Sequence, residues 1–154
     1  MSNKTALVTG ASDGIGAEFV EILAGHGYDL ILVARREEKL NELAVRLRDK
    51  FGVECTVMAA DLSEPKAAQN LFQRIEERGL QVNFLINNAG LLHNGFFAKL
   101  SLEAQEKMIQ VNVIALTALT HLYAAKMSSN GGGHILNVAS LAGWMAIPNQ
   151  NVYA

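Results

Sequence analysis

Five short apolar runs alternate with longer segments of helical periodicity along this chain, and few folds accept that order. The runs are "TALVTG" (5–10), "YDLILVA" (28–34), "VECTVMAAD" (53–61), "VNFLINNAG" (82–90) and "GGGHILNVAS" (131–140). Each is too continuously apolar to leave one face in water, so each reads as a strand covered on both sides. Between the first two, "GIGAEFVEILAGHG" carries Ile15, Phe19, Ile22 and Leu23 on one helical face, stopped by Gly25 and Gly27. "EEKLNELAVRLRDKFG" carries Leu40, Leu43, Ala44, Leu47 and Phe51, with Gly52 as its C-terminal stop. Ser63 is expected to cap a third helix, with Pro65 in its first turn and its end at Gly79. A long helix is expected over about 101–127. Strands alternating with helices predict a parallel sheet with right-handed crossovers, an α/β, doubly wound, three-layer α/β/α domain spanning 1–154. No repeat, linker or second domain interrupts it.

Composition narrows the function classes. Half of the residues are hydrophobic and 18% are charged, as in a globular domain with a real core. Thirteen basic residues stand against fifteen acidic, a net charge of -2, which argues against a nucleic-acid partner or a polybasic membrane contact. No uninterrupted apolar run reaches the roughly 18 residues of a membrane span, so no membrane partner is expected. The N-terminus carries no signal-peptide pattern, and Cys55 is the single cysteine, which together suit a reducing, cytoplasmic setting. The glycosylation pattern "NKT" at Asn3 is then a chance match.

The first strand runs into "TGASDGIG", placing Gly10, Gly14 and Gly16 at a strand–turn–helix junction. Glycines let the backbone turn tightly and approach a pyrophosphate, and the helix N-terminus offers free N–H groups to it. Turn glycines without a ligand are the plainer alternative. There is no Walker lysine, which argues against an ATP loop. An NAD site usually carries an acid at the end of the second strand. Here Ala34 is followed by Arg35 and Arg36, while Asp29 lies five residues too early. Arginines suit a ribose 2′-phosphate, so NADP(H) is favoured and NAD(H) stays open. The rival reading of "RREE" is a solvated helix start. Two arginines in a first turn would oppose the helix dipole, which mildly favours a functional reason.

With these pieces in order, the chain resembles the short-chain dehydrogenase/reductase family over its whole length, ending just after that family's catalytic-tyrosine position. The resemblance implies a Rossmann-like fold whose later strands lie beyond this chain. It implies a cofactor loop of Gly10, Ser12, Gly14, Ile15 and Gly16, with Ile15 toward the nicotinamide side. "ADL" resembles the adenine-side segment, with Asp61 as its polar contact and Leu62 beside it. "NNAG" resembles the motif ending the fourth strand, with Asn88, Ala89 and Gly90 beneath the adenosine ribose. "VARR" resembles NADP-preferring members, while Asp13 departs from those with a basic residue just before the second glycine.

The same resemblance implies the chemistry. Tyr153, in "NVYA", takes the acid/base position, Ser140 the substrate-orienting one, and Asn112 that of an asparagine holding a proton-relaying water. A hydride would pass between NADP(H) and a small carbonyl or alcohol substrate, in a homo-oligomeric enzyme. The family motif is Tyr-x-x-x-Lys, and its lysine would fall four positions after Tyr153. The chain as written is therefore expected to have little activity alone. A noncatalytic nucleotide-binding module, or a truncated product with a structural role, is the rival reading. His26, His93, His121 and His134 show no metal-ligand spacing. His26 reads as loop, His134 as strand entry, and His121 as packing on the long helix. His93 is a remote candidate for a substrate mouth. Trp144 and Met145 read equally as substrate-facing or as ordinary loop.

Overall fold

The computed structural model describes residues 4–145 and 147–154, so the pattern at Asn3 lies outside the described residues. The expected alternation forms. Strands β1 (Thr5–Thr9), β2 (Asp29–Ala34), β3 (Cys55–Ala59), β4 (Phe84–Asn87) and β5 (His134–Asn137) pair in parallel, in the order β3-β2-β1-β4-β5. The chain winds outward from β1 to β3, then crosses back to place β4 on the other side of β1. In a doubly wound sheet that reversal opens a crevice at the C-terminal strand ends.

Alternate strand residues feed two cores. Ala6, Val8, Leu30 and Leu32 point to one face, against helices α1 (Gly14–Gly25) and α2 (Glu37–Phe51). Leu7, Ile31, Val33 and Leu85 point to the other, against α3 (Ala67–Glu77) and the long helix. That is the period of two of a strand, with helices absorbing both faces. The stripe expected of α2 holds, since Leu40, Leu43, Ala44 and Leu47 are all buried. Gly52 ends this helix at φ +69, a left-handed conformation that a side chain would strain.

Two helices depart from expectation. In α1 the buried face is Gly16, Val20, Leu23 and Ala24, while Ile15 and Ile22 are exposed. The helix is apolar on two sides, so periodicity offered two stripes. Ser63 does not cap α3, because its amide and hydroxyl both donate to the Asp61 carboxylate. Two successive turns carry the chain past Pro65, and α3 begins only after Lys66, at φ +61.

The long helix comprises α4 (Leu102–Ile109), a π-helical turn at Gln110–Ala115 and α5 (Leu116–Ser129). Val111, Ala115, Leu119, Tyr123 and Met127 form a buried stripe at every fourth position. An 18-residue window within Leu102–Ser129 has a mean hydropathy of 1.4, so by length and composition this helix could cross a membrane, although it is not an uninterrupted apolar run. His121 is exposed rather than packed. β5 also departs from the pattern of strands covered on both faces. It pairs with β4 along one edge, and most of its residues are exposed.

Candidate cofactor and active site

The loop after β1 and the loop after β4 are held together by one threonine and one asparagine. The Thr9 hydroxyl accepts from the backbone N–H groups of Asn88 and Ala89, both at 3.0 Å. The Asn88 side chain donates to the carbonyls of Thr9 at 3.0 Å and Gly10 at 3.3 Å. Glycine is needed where these pieces touch. A Cβ on Gly10 would lie 2.9 Å from Ala89 Cα, and one on Gly16 would lie 2.2 Å from the Gly10 carbonyl oxygen. Gly16 therefore seats α1 on the loop, close helix–strand packing being one role of glycines in such motifs. Gly14, at the helix N-terminus, faces open space instead.

Above this junction a cavity of about 410 Å³ opens at the C-terminal ends of the strands, within the usual size range of small-molecule sites. Gly10, Ser12 and Ile15 form one wall, with Arg35 and Arg36 beyond the end of β2. Asp61 and Leu62 close the β3 side, and Asn88, Ala89 and Gly90 the β4 side. Tyr153 reaches the same cavity from the last turn of the chain. Ala154 N–H donates to the Gln150 carbonyl across that turn at 2.9 Å.

The charged groups are organised. Burial pushes the Asp61 carboxyl up, but the two Ser63 hydrogen bonds, with Arg35 and Lys107 nearby, outweigh it and leave Asp61 below its ordinary range. Asp13 is likewise lowered, chiefly by its hydrogen bond from Arg36, then by the Gly14 amide and Lys39. The arginines do not occupy the first turn of α2. That turn carries Glu37 and Glu38, and Arg36 is its cap residue, so the argument from an opposed helix dipole falls.

A family model described as short chain dehydrogenase matches residues 4–154. The chain belongs to the short-chain dehydrogenase family. It is 37% identical to the 7beta-hydroxysteroid dehydrogenase of Collinsella aerofaciens, over 96% of this chain and 55% of that one. It is 38% identical to a very-long-chain 3-oxoacyl-CoA reductase of Phaeosphaeria nodorum, over 97% of this chain and 45% of the relative. This short-chain dehydrogenase chain thus spans about half the length of these curated relatives. A solved short-chain dehydrogenase from Sphingobium yanoikuyae, in complex with NADPH, superposes with a TM-score of 0.90 at 39% identity, covering 97% of this chain and 58% of the other.

Against the residues expected from short-chain dehydrogenases, the cavity gathers Tyr153 and most of the cofactor set. Gly14, Gly16, Asn112 and Ser140 are not among its lining residues. Asn112 sits in the π-helical turn with its amide bonded to Leu91. The Ser140 hydroxyl accepts from Ala142 N–H at 3.2 Å, capping the short 3-10 turn Leu141–Gly143, which leaves its own O–H free to donate. His93 is half-buried, lies outside the lining, and gives its backbone N–H to Met108 Sδ at 3.2 Å. Trp144 and Met145 are exposed. Thr9 and Asp13 were missed as site residues. The position of Thr9 as the last residue of β1, directly before the glycine loop, was the available signal.

Proposed function

We propose that this chain carries the NADP(H) site and the acid/base tyrosine of an oxidoreductase acting on a small carbonyl or alcohol. The observation that carries the reading is Tyr153 in the wall of the cavity formed by Gly10, Ile15, Arg36 and Asn88. The fit to a dinucleotide rests on the open approach at Gly14, the N-terminus of α1 at the cavity wall, and two arginines past β2. Arg35 and Arg36 would hold a 2′-phosphate through charged hydrogen bonds, each worth about 1.5–3 kcal/mol. The NADPH bound in the similar Sphingobium structure supports that choice.

A bound nicotinamide cofactor would supply or accept the hydride at the substrate carbon. The Tyr153 hydroxyl would give a proton to the oxygen as it becomes an alkoxide, or take one in the reverse direction. The free O–H of Ser140 would donate to the same oxygen. Asn112 would hold a relay water while fixing the loop at Leu91. The similar 7beta-hydroxysteroid dehydrogenase and 3-oxoacyl-CoA reductase support a ketone as substrate.

Turnover by the 154-residue chain is expected to be low, because Tyr153 rests in a single turn rather than in a packed helix. A displacement of about 1 Å at a catalytic group costs about a hundredfold. The second reading, a nucleotide-binding module without catalysis, draws on Asn112, whose amide is bonded to the Leu91 backbone, and on Ser140, whose hydroxyl caps a turn outside the cavity lining. We assign the chain one domain, self-association along the exposed edge strand β5, and a reducing, cytoplasmic setting that suits its buried single cysteine.

The test titrates NADPH and NADH into the chain, then follows NADPH oxidation against a panel of ketones for wild type and Tyr153→Phe. Tighter NADPH binding and a slow turnover lost in Tyr153→Phe are expected. Binding with no tyrosine-dependent turnover would favour the second reading, and no binding would remove both.

A further inference from the structure

Asp13, directly before Gly14, holds Arg36 of the arginine pair and Lys39. Asp13 Oδ1 accepts from the Gly14 N–H at 3.0 Å. Asp13 Oδ2 lies 3.1 Å from Arg36 Nη2 and 3.5 Å from Lys39 Nζ. The same Arg36 nitrogen donates to the Ser12 hydroxyl at 3.4 Å. One carboxylate therefore gathers a helix N-terminal amide, a guanidinium and an ammonium, which are the donors a phosphate would use. Asp13 and Arg36 both line the cavity.

We propose that Asp13 is an internal counterion that competes with the cofactor's 2′-phosphate for Arg36 and Lys39, and so sets how strongly the chain prefers NADP(H) over NAD(H). The inference rests on the NADP(H) reading above. Arg36 and Lys39 bring two positive charges and Asp13 removes one, so a phosphate entering this corner must displace a carboxylate or sit beside it. The side chains of Arg36 and Asp13 are 54% and 69% exposed, so the pair is screened by water and readily exchanged. NADH carries no 2′-phosphate and does not need these cations, so Asp13 acts on one cofactor and spares the other.

Asp13→Asn isolates the charge. Asparagine caps a helix as well as aspartate, so the bond from Gly14 is retained while the ion pairs are lost. Asp13→Ser is a second cap-competent variant that guards against a misplaced amide. The full chain is titrated with NADPH, NADH and adenosine 2′,5′-bisphosphate, at low and high salt, as wild type, Asp13→Asn, Asp13→Ser and Arg36→Ala. The expected result is about five- to tenfold tighter binding of NADPH and the bisphosphate in both Asp13 variants, shrinking at high salt as screened charges do. NADH affinity should change by less than NADPH affinity, since NADH has no 2′-phosphate for Arg36 and Lys39 to hold.

Unchanged NADPH affinity in both variants would overturn the proposal. Weaker NADPH binding would also overturn it, because Asp13 would then be orienting Arg36 for the phosphate. Arg36→Ala separates the two levels. If it abolishes the NADPH preference while the Asp13 variants are neutral, only the competition is wrong. If wild type shows no NADPH preference and Arg36→Ala changes nothing, the NADP(H) reading fails and the competition with it.

Discussion

Asn112 and Leu91 exchange two hydrogen bonds of 2.8 Å, the side-chain Nδ2 donating to the Leu91 carbonyl and Oδ1 accepting from its N–H. A side chain in the π-helical turn thereby satisfies both polar groups of a loop residue that belongs to no strand. π-helical turns often sit at functional sites. Here the turn holds the backbone just after Gly90, where Leu91 and Leu92 form part of the cavity wall.

Asn112→Asp tests that clamp. The new carboxylate still accepts from the Leu91 N–H but sets an acceptor against the Leu91 carbonyl. The variant is expected to lose about 1–3 kcal/mol of stability, the cost of a part-buried group left unpaired. NADPH affinity should fall as the wall loosens. Urea unfolding and a cofactor titration read the two effects, and wild-type values in both would show that the clamp is dispensable.

Gly16→Ala probes the seat of α1. The added methyl would lie 2.2 Å from the Gly10 carbonyl oxygen and 2.5 Å from Asn88 Nδ2, so helix or loop must move. A loss of at least about 1–3 kcal/mol, as in other overpacked sites, is expected together with weaker cofactor binding. A variant matching wild type in urea midpoint and NADPH affinity would remove Gly16 from the junction.

The Cys55 thiol, buried in β3, is pushed up to about 11, mainly by desolvation. Only the thiolate reacts quickly with disulfide reagents. In the folded chain at about pH 8, near the ordinary thiol value, labelling should be slow and become fast on unfolding. Rapid stoichiometric labelling under native conditions would contradict the burial.

Asp61 links the β3 side of the cavity to pH. Its folded pKa is below the ordinary carboxylate range, so the stability it contributes is present above the unfolded pKa and lost as pH falls through the folded one. Ser63→Ala removes the hydroxyl bond of 2.7 Å but keeps the backbone bond of 2.9 Å. The Asp61 titration, followed by carboxyl NMR, should move up, and the acid limb of stability should begin at higher pH. Superimposable acid limbs and titrations would show that the hydroxyl does not hold the charge.

Much of the site was legible because its parts are local. "TGASDGIG" at a strand–helix junction, "NNAG" at the end of an apolar run and arginines after "LVA" announce their element from neighbouring residues alone. What escaped needed distant partners. The Thr9 hydroxyl matters only because Asn88 and Ala89 arrive beside it. Ser63 reads as a helix cap until Asp61 takes both of its donors. Asp13 reads as a departure from a pattern until Arg36, 23 positions later, closes on it.

The sequence by itself determined the alternation of strands and helices, the stripe of α2 and its stop at Gly52, because apolar periodicity and left-handed glycines act over a few neighbouring residues. Only the tertiary structure decided which face of α1 is buried. Ile15 and Ile22 are more apolar than Gly16, yet they face outward, because contact with Gly10 demands a residue with no Cβ. The tertiary structure also decided that Tyr153 joins the cavity while Asn112 and Ser140 stand outside its lining. Those positions depend on how β4, β5 and the long helix meet at the sheet, and backbone contacts between elements far apart in the chain leave no periodic trace in the sequence.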